Sequence, residues 1–115
     1  WLNAGDESGD GSLSGFAASP GLVEGPARVI SSADEIADLQ EGEILVAPLT
    51  APSWAPVFGK IKATVTDVGG MMSHAAIVCR EYGLPAVTGT AFGTKRITTG
   101  QMIRVDGNTG KVTIL

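Results

Sequence analysis

The sequence has a single cysteine, a single histidine and few aromatic residues. Because Cys79 has no partner, an internal disulfide is excluded, and the cysteine usage fits a reducing compartment. One histidine and one cysteine are too few for an ordinary structural zinc site, so we expect no metal to be held by this chain. Aromatic residues make up 5% of the sequence while glycine occurs 16 times, which favours tight turns and small-residue packing over long helices.

Positive charge is also scarce. Eight Lys and Arg against 12 Asp and Glu give a formal net charge of −4, and no basic run is longer than Lys95-Arg96. The electrostatic footprint of a nucleic-acid-binding protein is therefore missing. No apolar run approaches the about 20 residues that a membrane helix needs, and no basic segment precedes an apolar one at the start. We therefore expect no membrane partner and predict a cytoplasmic location.

The length of 115 residues fits one domain. Residues 3–13 are small, acidic and rich in glycine, which predicts a flexible linker over residues 1–13 and a folded domain over residues 14–115. The chain begins at Trp1 instead of methionine, which indicates a fragment of a longer protein.

Strands and short helices are predicted to alternate along the chain. Strands are predicted over residues 21–30, 44–47, 63–67, 101–105 and 111–115, the last two joined by a hairpin. Helices are predicted over residues 32–39, capped by Ser32, and 73–82, ended by Gly83. This order predicts an α/β layered domain.

The candidate chemistry lies where the strand at residues 63–67 gives way to the helix at residues 73–82. Gly69 and Gly70 precede that helix, and His74 lies in its first turn. A helix start presents unpaired N–H groups and partial positive charge, both of which favour a phosphoryl group. Neutral imidazole is a nucleophile with a second nitrogen that a hydrogen bond can hold. Ser73 is a candidate helix cap or a hydroxyl donor to the phosphate.

The residues alone leave plainer readings open. His74 is also compatible with a surface or capping role, Gly69-Gly70 with a simple tight turn, and Ser73 with a cap and nothing more. Cys79 lies on the apolar face predicted for the helix, with Ala75, Val78 and Tyr82, and reads as a buried small residue. Trp54 reads as a packing residue.

The segment from Gly69 to Val87 closely resembles the signature of the mobile domain of phosphoenolpyruvate-utilising enzymes. That signature runs Gly-Gly, two variable positions, Ser or Cys, His-Ala-Ala, an apolar pair and Ala-Arg-Glu, and continues to Gly-x-Pro-Ala-Val. The other similar segments are Ala18 to Gly21, Glu43 to Ala47, Thr50 to Trp54 and Gly100 to Gly107. Members include phosphoenolpyruvate synthase, pyruvate phosphate dikinase, rifampin phosphotransferase and phenylphosphate synthase.

This resemblance implies the swivelling β/β/α fold, a three-layer domain with mixed sheets and short helices. It implies that His74 is phosphorylated and that Gly69, Gly70 and Ser73 support it. It further implies that the domain carries the phosphoryl group between an ATP-grasp domain and a second site, which binds pyruvate or another small organic acceptor. Mg²⁺ and ATP, or phosphoenolpyruvate, are then expected in these partner domains and no cofactor in this one, which alone should not turn over.

Two departures and three alternatives accompany the resemblance. Cys79 stands where alanine is usual. Met72 stands where the dikinases have a regulatory threonine, so we expect the regulation through that threonine to be absent.

The alternatives are a non-catalytic swivelling module, a carrier that passes phosphate from phosphoenolpyruvate to a protein, and a histidine phosphatase, which a lone histidine disfavours. If Leu115 is the native end, an ATP-driven transfer to an organic acceptor gains weight. The acceptor, the donor and the oligomeric state stay open.

Overall fold

The structure, a computed structural model, describes residues 12–50 and 52–115, and in this part of the chain it has eight strands and four short helices. The strands are β1 (Ser12–Ser14), β2 (Phe16–Ser19), β3 (Leu22–Val29), β4 (Ile44–Ala47), β5 (Ala63–Thr66), β6 (Ala86–Thr88), β7 (Met102–Asp106) and β8 (Lys111–Ile114). Two 3₁₀ helices cover Ala33–Asp38 and Pro52–Gly59, and two α-helices are α1 (His74–Tyr82) and α2 (Gly93–Arg96).

The strands form one mixed sheet in the order β1-β8-β7-β3-β4-β5-β6-β2. Strand β3 joins its two halves: residues 22–26 pair antiparallel with β7, and residues 27–29 pair parallel with β4. Strands β4, β5 and β6 are parallel, β2 runs antiparallel beside β6, and β7 and β8 form the predicted hairpin. The parallel part brings the ends of β4, β5 and β6 to one edge, where connecting loops meet.

The sheet curls back on itself. Strands β1 and β2 stand at opposite ends of the strand order, yet only Gly15 separates them in sequence. Two residue steps span about 7 Å at most, so the two ends of the sheet must lie side by side. Gly15 donates a backbone hydrogen bond to the Gly110 carbonyl at 2.8 Å, and a Cβ atom there would lie 2.4 Å from the Thr88 carbonyl oxygen. Only glycine fits this junction without displacing the backbone of β6.

Two apolar cores result from this curl. Strand β4 is buried on both faces, with Ile44 and Val46 in the inner core and Leu45 and Ala47 in the outer core. The inner core lies between the two halves of the sheet, and the outer core lies between the sheet and the helices. The other outer-core residues include Trp54, Val57, Phe58, Ala76 and Cys79. The predicted α/β class with mixed sheets and short helices is confirmed, and so is the packing role of Trp54.

The start of the fold differs from the prediction. Ser12 and Leu13 belong to β1, and Leu13 is 1% exposed in the inner core, so the linker prediction is wrong for these two residues. Leu13 pairs with Val112 on β8, a partner at the far end of the sequence that no local pattern reveals. The rest of the predicted linker, residues 1–11, lies outside the described residues.

Short elements account for the other differences. Strands β1, β2 and β6 and helix α2 have three or four residues each, too few for a periodicity to show. The helix predicted at residues 32–39 is a 3₁₀ helix, with Ser32 and Glu35 forming a capping box. None of the helices in the described part of the chain is long and apolar enough to cross a membrane.

Candidate functional site

Helix α1 begins at His74, one residue after the predicted start, and ends at Tyr82 as predicted. Ser73 is the N-cap, with its Oγ accepting a hydrogen bond from the Ala76 amide at 3.4 Å, and Gly83 ends the helix with a left-handed φ of 73°. The predicted apolar face was partly wrong. Ala76 is buried with Ala75 and Cys79, whereas Tyr82, in the final turn, is 51% exposed and its ring lies against that of Phe58.

Two neighbours hold the imidazole of His74. Its Nδ1 lies 2.7 Å from the Oγ1 of Thr50, and its ring meets Phe58 in a T-shaped contact with the ring centroids 6.0 Å apart. Thr50 and Phe58 are buried, while His74 is partly exposed. Nε2 has no hydrogen-bond partner among residues 12–50 and 52–115. One nitrogen is therefore fixed and the other is available for chemistry.

Thr50, like Thr88, is a site residue that reasoning from the sequence missed. It lies 24 positions from His74, and the sequence indicates it only as part of a longer segment that resembles the family. The topology supplies the reason for their meeting. Thr50 follows β4 and His74 follows β5, and loops that leave neighbouring parallel strands meet at the same edge of the sheet. A hydroxyl residue shortly after a buried parallel strand was the signal that could have found it.

Side-chain hydroxyl groups fix the loop between β5 and α1. Thr66 Oγ1 donates to the carbonyl of Val68 at 2.9 Å. The carbonyl of Gly70 accepts from Ser73 Oγ at 2.9 Å and from Thr88 Oγ1 at 3.2 Å. The Ser73 hydroxyl thus serves the cap and the loop at once. These bonds give the residues before His74 a defined backbone path.

The two glycines of this loop differ in what they require. Gly69 has a φ of 124°, a conformation rarely open to other residues, and a Cβ atom there would lie 3.0 Å from the Cβ of Ser73. Gly70 has no positive φ, and a Cβ atom would meet nothing within 4 Å. The sequence presents them as an equal pair, whereas the structure requires glycine only at Gly69.

A cavity of about 120 Å³ opens beside the imidazole. Its lining consists of Leu49, Thr50, Thr66, Val68, Gly69, Ser73, His74 and Ala75. This volume far exceeds the roughly 10–15 Å³ that a single water needs. Exposed apolar side chains, Leu49, Val68, Met71 and Met72, lie on this loop edge. The cavity lining contains no charged side chain, so the site offers polar groups and apolar surface without a cation.

The residues around His74 do not fit a magnesium ion of their own. Mg²⁺ takes carboxylate, phosphate and water oxygens, whereas the oxygens lining this cavity belong to hydroxyl and backbone groups. Within the described ranges, no three His, Cys, Asp or Glu residues come together as a metal site.

Cys79 is placed as a packing residue. It is fully buried, and its Sγ donates to Thr64 Oγ1 at 3.4 Å. Burial raises the pKa of the thiol to about 11, which leaves it protonated and unreactive near neutral pH. The interpretation of Cys79 as a small buried residue is confirmed.

The fold and the site define a β/β/α domain that presents one histidine at the start of a helix. The chain belongs to the family described as "PEP-utilising enzyme, mobile domain", whose model matches residues 39–110. The resemblance to this family that the sequence predicted is therefore confirmed.

Three known proteins illustrate this membership. The chain is 52% identical over 110 residues to a rifampicin phosphotransferase of Streptomyces sviceus, covering 96% of this chain and 13% of that protein. It is 48% identical over 100 residues to a probable phosphoenolpyruvate synthase of Archaeoglobus fulgidus, covering 87% of this chain and 13% of that protein. The solution structure of an Enzyme I protein matches with a TM-score of 0.60 and 33% identity, covering 69% of this chain and 33% of that one. The chain thus spans about an eighth of each of these two curated relatives.

Proposed function

We propose that this domain is a phosphocarrier in which His74 is transiently phosphorylated on Nε2. The observation that carries the proposal is the 2.7 Å contact between His74 Nδ1 and Thr50 Oγ1, which leaves Nε2 as the unpartnered nitrogen of a partly exposed ring. A nucleophilic imidazole needs this division, one nitrogen held and the other open. The uncharged cavity beside the ring provides room for a phosphoryl group.

The transfer follows from the hydrogen-bond inventory of the two side chains. In the reactive tautomer, Nδ1–H donates to Thr50 Oγ1, and Nε2 carries the lone pair. Nε2 attacks the phosphorus of the donor in line, the P–N bond forms, and the P–O bond to the leaving group breaks with its electron pair. The Nδ1 proton stays on the ring, where Thr50 stabilises the cationic imidazolium. In the second half-reaction an acceptor oxygen displaces Nε2 from phosphorus.

The phosphoryl group is held weakly, as a carrier requires. The start of α1 contributes about 0.3–1 kcal/mol to binding of an anion when exposed and up to about 2 kcal/mol when partly buried. No cation lines the cavity to add a stronger attraction. The phosphoryl group is therefore stable enough to stay on His74 between the two sites and remains available for the next transfer.

The donor and the acceptor belong to other domains in this proposal. An ATP-grasp domain with Mg²⁺ and ATP phosphorylates His74, and an acceptor-binding domain receives the group. The relatives named rifampicin phosphotransferase and phosphoenolpyruvate synthase support a small organic acceptor. The family description, which names phosphoenolpyruvate-utilising enzymes, supports phosphoenolpyruvate as the alternative donor.

The test is labelling of the complete enzyme that contains this domain. Separate incubations use ATP labelled at the β or the γ phosphorus, and labelled phosphoenolpyruvate. We expect one donor to give a label that is lost in acid, stable in alkali, and mapped by alkaline mass spectrometry to the peptide that contains His74. An acid-stable label on a hydroxyl residue, or full turnover with no label on this domain, contradicts the proposal. Absence of both label and turnover favours the non-catalytic module.

Replacing Thr50 by valine should slow phosphorylation of His74 by about tenfold, which corresponds to the roughly 1.4 kcal/mol typical of one lost hydrogen bond. Valine keeps the buried volume but removes the acceptor that selects the Nδ1–H tautomer. The measurement is the rate of labelling under single-turnover conditions. Thr113→Val on β8, remote from the site, is the matched control and should label at the normal rate. An unchanged rate for Thr50→Val would remove the threonine from the mechanism.

A further inference from the structure

Arg80 lies in the last turn of α1, but its guanidinium group reaches back toward the start of the helix. Nε donates to the carbonyl of Ala18 on β2 at 2.8 Å, and Nη2 donates to the carbonyl of Met71 in the loop before His74. Side chains on a helix lean toward its N-terminus, which makes this reach possible. Arg80 therefore ties the loop of the site to a strand of the sheet.

Arg80 differs from arginines of this chain that pair with a carboxylate. Arg28 pairs with Glu43 at 3.0 Å, and Arg104 pairs with Glu24 at 2.7 Å. Arg80 contacts no carboxylate within the described part of the chain; its recorded partners are the two carbonyl groups. Its positive charge is consequently not neutralised by a neighbour, and three of its five N–H donors are unused.

The bond to Met71 sets the orientation of the next peptide group. In a trans peptide the C=O and N–H point in opposite directions, and the described residues contain no cis peptide. Because Arg80 holds the Met71 carbonyl, the Met72 amide points away from Arg80. Neither the Met71 nor the Met72 amide donates to an acceptor in residues 12–50 or 52–115. Without Arg80 the Met71 carbonyl would lose its hydrogen bond, while the bonds from Ser73 to the Gly70 carbonyl would still close the turn around this peptide.

We propose that Arg80 is a positioning residue for phosphoryl transfer at His74. It holds the Met71–Met72 peptide in place and keeps an unneutralised positive charge beside a loop that gains about two negative charges. This inference rests on the proposed function, because it assigns Arg80 a role only if His74 carries a phosphoryl group. Arg80 acts through the loop and does not touch the reacting atoms.

The test uses the 115-residue chain and phosphoramidate, a small donor that requires no partner domain. Nε2 of His74 attacks phosphorus, the P–N bond of the reagent breaks, and ammonia leaves. Arg80→Gln removes the charge, and Arg80→Lys keeps the charge but loses the fork of two donors. Arg104→Gln is the matched control, because it removes an arginine from an exposed ion pair away from this loop. Thermal unfolding fixes a temperature at which every variant is folded.

We expect Arg80→Gln to be phosphorylated about tenfold more slowly than the parent chain, Arg80→Lys to recover part of that loss, and Arg104→Gln to react at the parent rate. The size of the effect is reasonable because a misplacement of about 1 Å at a reacting group can lower a rate by up to about a hundredfold. The Met72 amide resonance, which we expect to move when His74 is phosphorylated, should move less in Arg80→Gln. A normal rate and a normal Met72 shift in Arg80→Gln would overturn the inference. The inference would also be overturned if Arg80→Lys were phosphorylated as slowly as Arg80→Gln.

The two proposals fail in different ways. If the parent chain is not phosphorylated at His74 by phosphoramidate and carries no label in the complete enzyme, the phosphocarrier proposal is contradicted. If the parent chain is phosphorylated and both Arg80 variants behave like it, only the role of Arg80 is contradicted.

Discussion

A chain in which asparagine replaces His74 should accept no phosphoryl group from any donor. The asparagine amide can take the position of Nδ1 and keep a hydrogen bond to Thr50, but it has no atom at the position of Nε2. Removing a catalytic nucleophile lowers rates by about a thousandfold or more. We therefore expect labelling to fall to the detection limit. The free energy of unfolding should change by about 0.5 kcal/mol or less, because the replaced side chain is partly exposed.

Two features make this result easy to interpret. His74 is the only histidine in the sequence, so no second imidazole can take over the label within this chain. His74→Gln places an amide near the position of Nε2 instead and should be equally inactive, since an amide nitrogen is not nucleophilic. Alkali-stable label that persists on either variant would place the phosphorylated residue elsewhere and end the proposal.

The parts of the fold that local chemistry determines were predictable. Ser73 supplies a capping hydroxyl and Gly83 a left-handed stop, so both ends of α1 followed from neighbouring residues. Strand β1 was not predictable, because its pairing with β8 joins residues about 100 positions apart, and its buried apolar side chain, Leu13, stands between polar neighbours. A period of two cannot be read from a strand of three residues.

In the site too, residues close together in sequence were predictable, whereas residues brought in by the topology were not. Gly69, Gly70, Ser73 and His74 are close enough in sequence to be recognised together, and the structure places them where the loop after β5 enters α1. Thr50 and Thr88 reach that loop from other parallel strands of the sheet, and only the topology reveals them.

Arg80 shows a different limit of the sequence pattern. By position it is a basic residue in the last turn of α1, where it would be expected to favour the negative end of the helix. Its side chain instead contacts the loop at the opposite end. Sequence spacing alone does not give the direction of a long side chain.

Alanine at Gly69 should damage both stability and phosphoryl transfer. A backbone φ of 124° costs a non-glycine residue about 1–3 kcal/mol, and the added Cβ would press on the Cβ of Ser73 at 3.0 Å. The Gly69 backbone has little room to shift in response, since its carbonyl oxygen packs against Gly89, where a Cβ would come within 2.8 Å of it. We expect the free energy of unfolding, measured with denaturant, to fall by that amount, and the rate of phosphorylation to fall by about tenfold to a hundredfold.

Gly70→Ala is the matched control for this prediction, because it makes the same chemical change one residue later. Its backbone is open to any residue and its Cβ would meet nothing within 4 Å, so rate and stability should stay close to those of the parent chain. Equal damage from both variants would mean that the loop needs glycine for mobility and not for shape. Damage from Gly69→Ala alone would show that the glycine pair acts through one residue, whose backbone keeps Ser73, and with it the adjacent His74, in place.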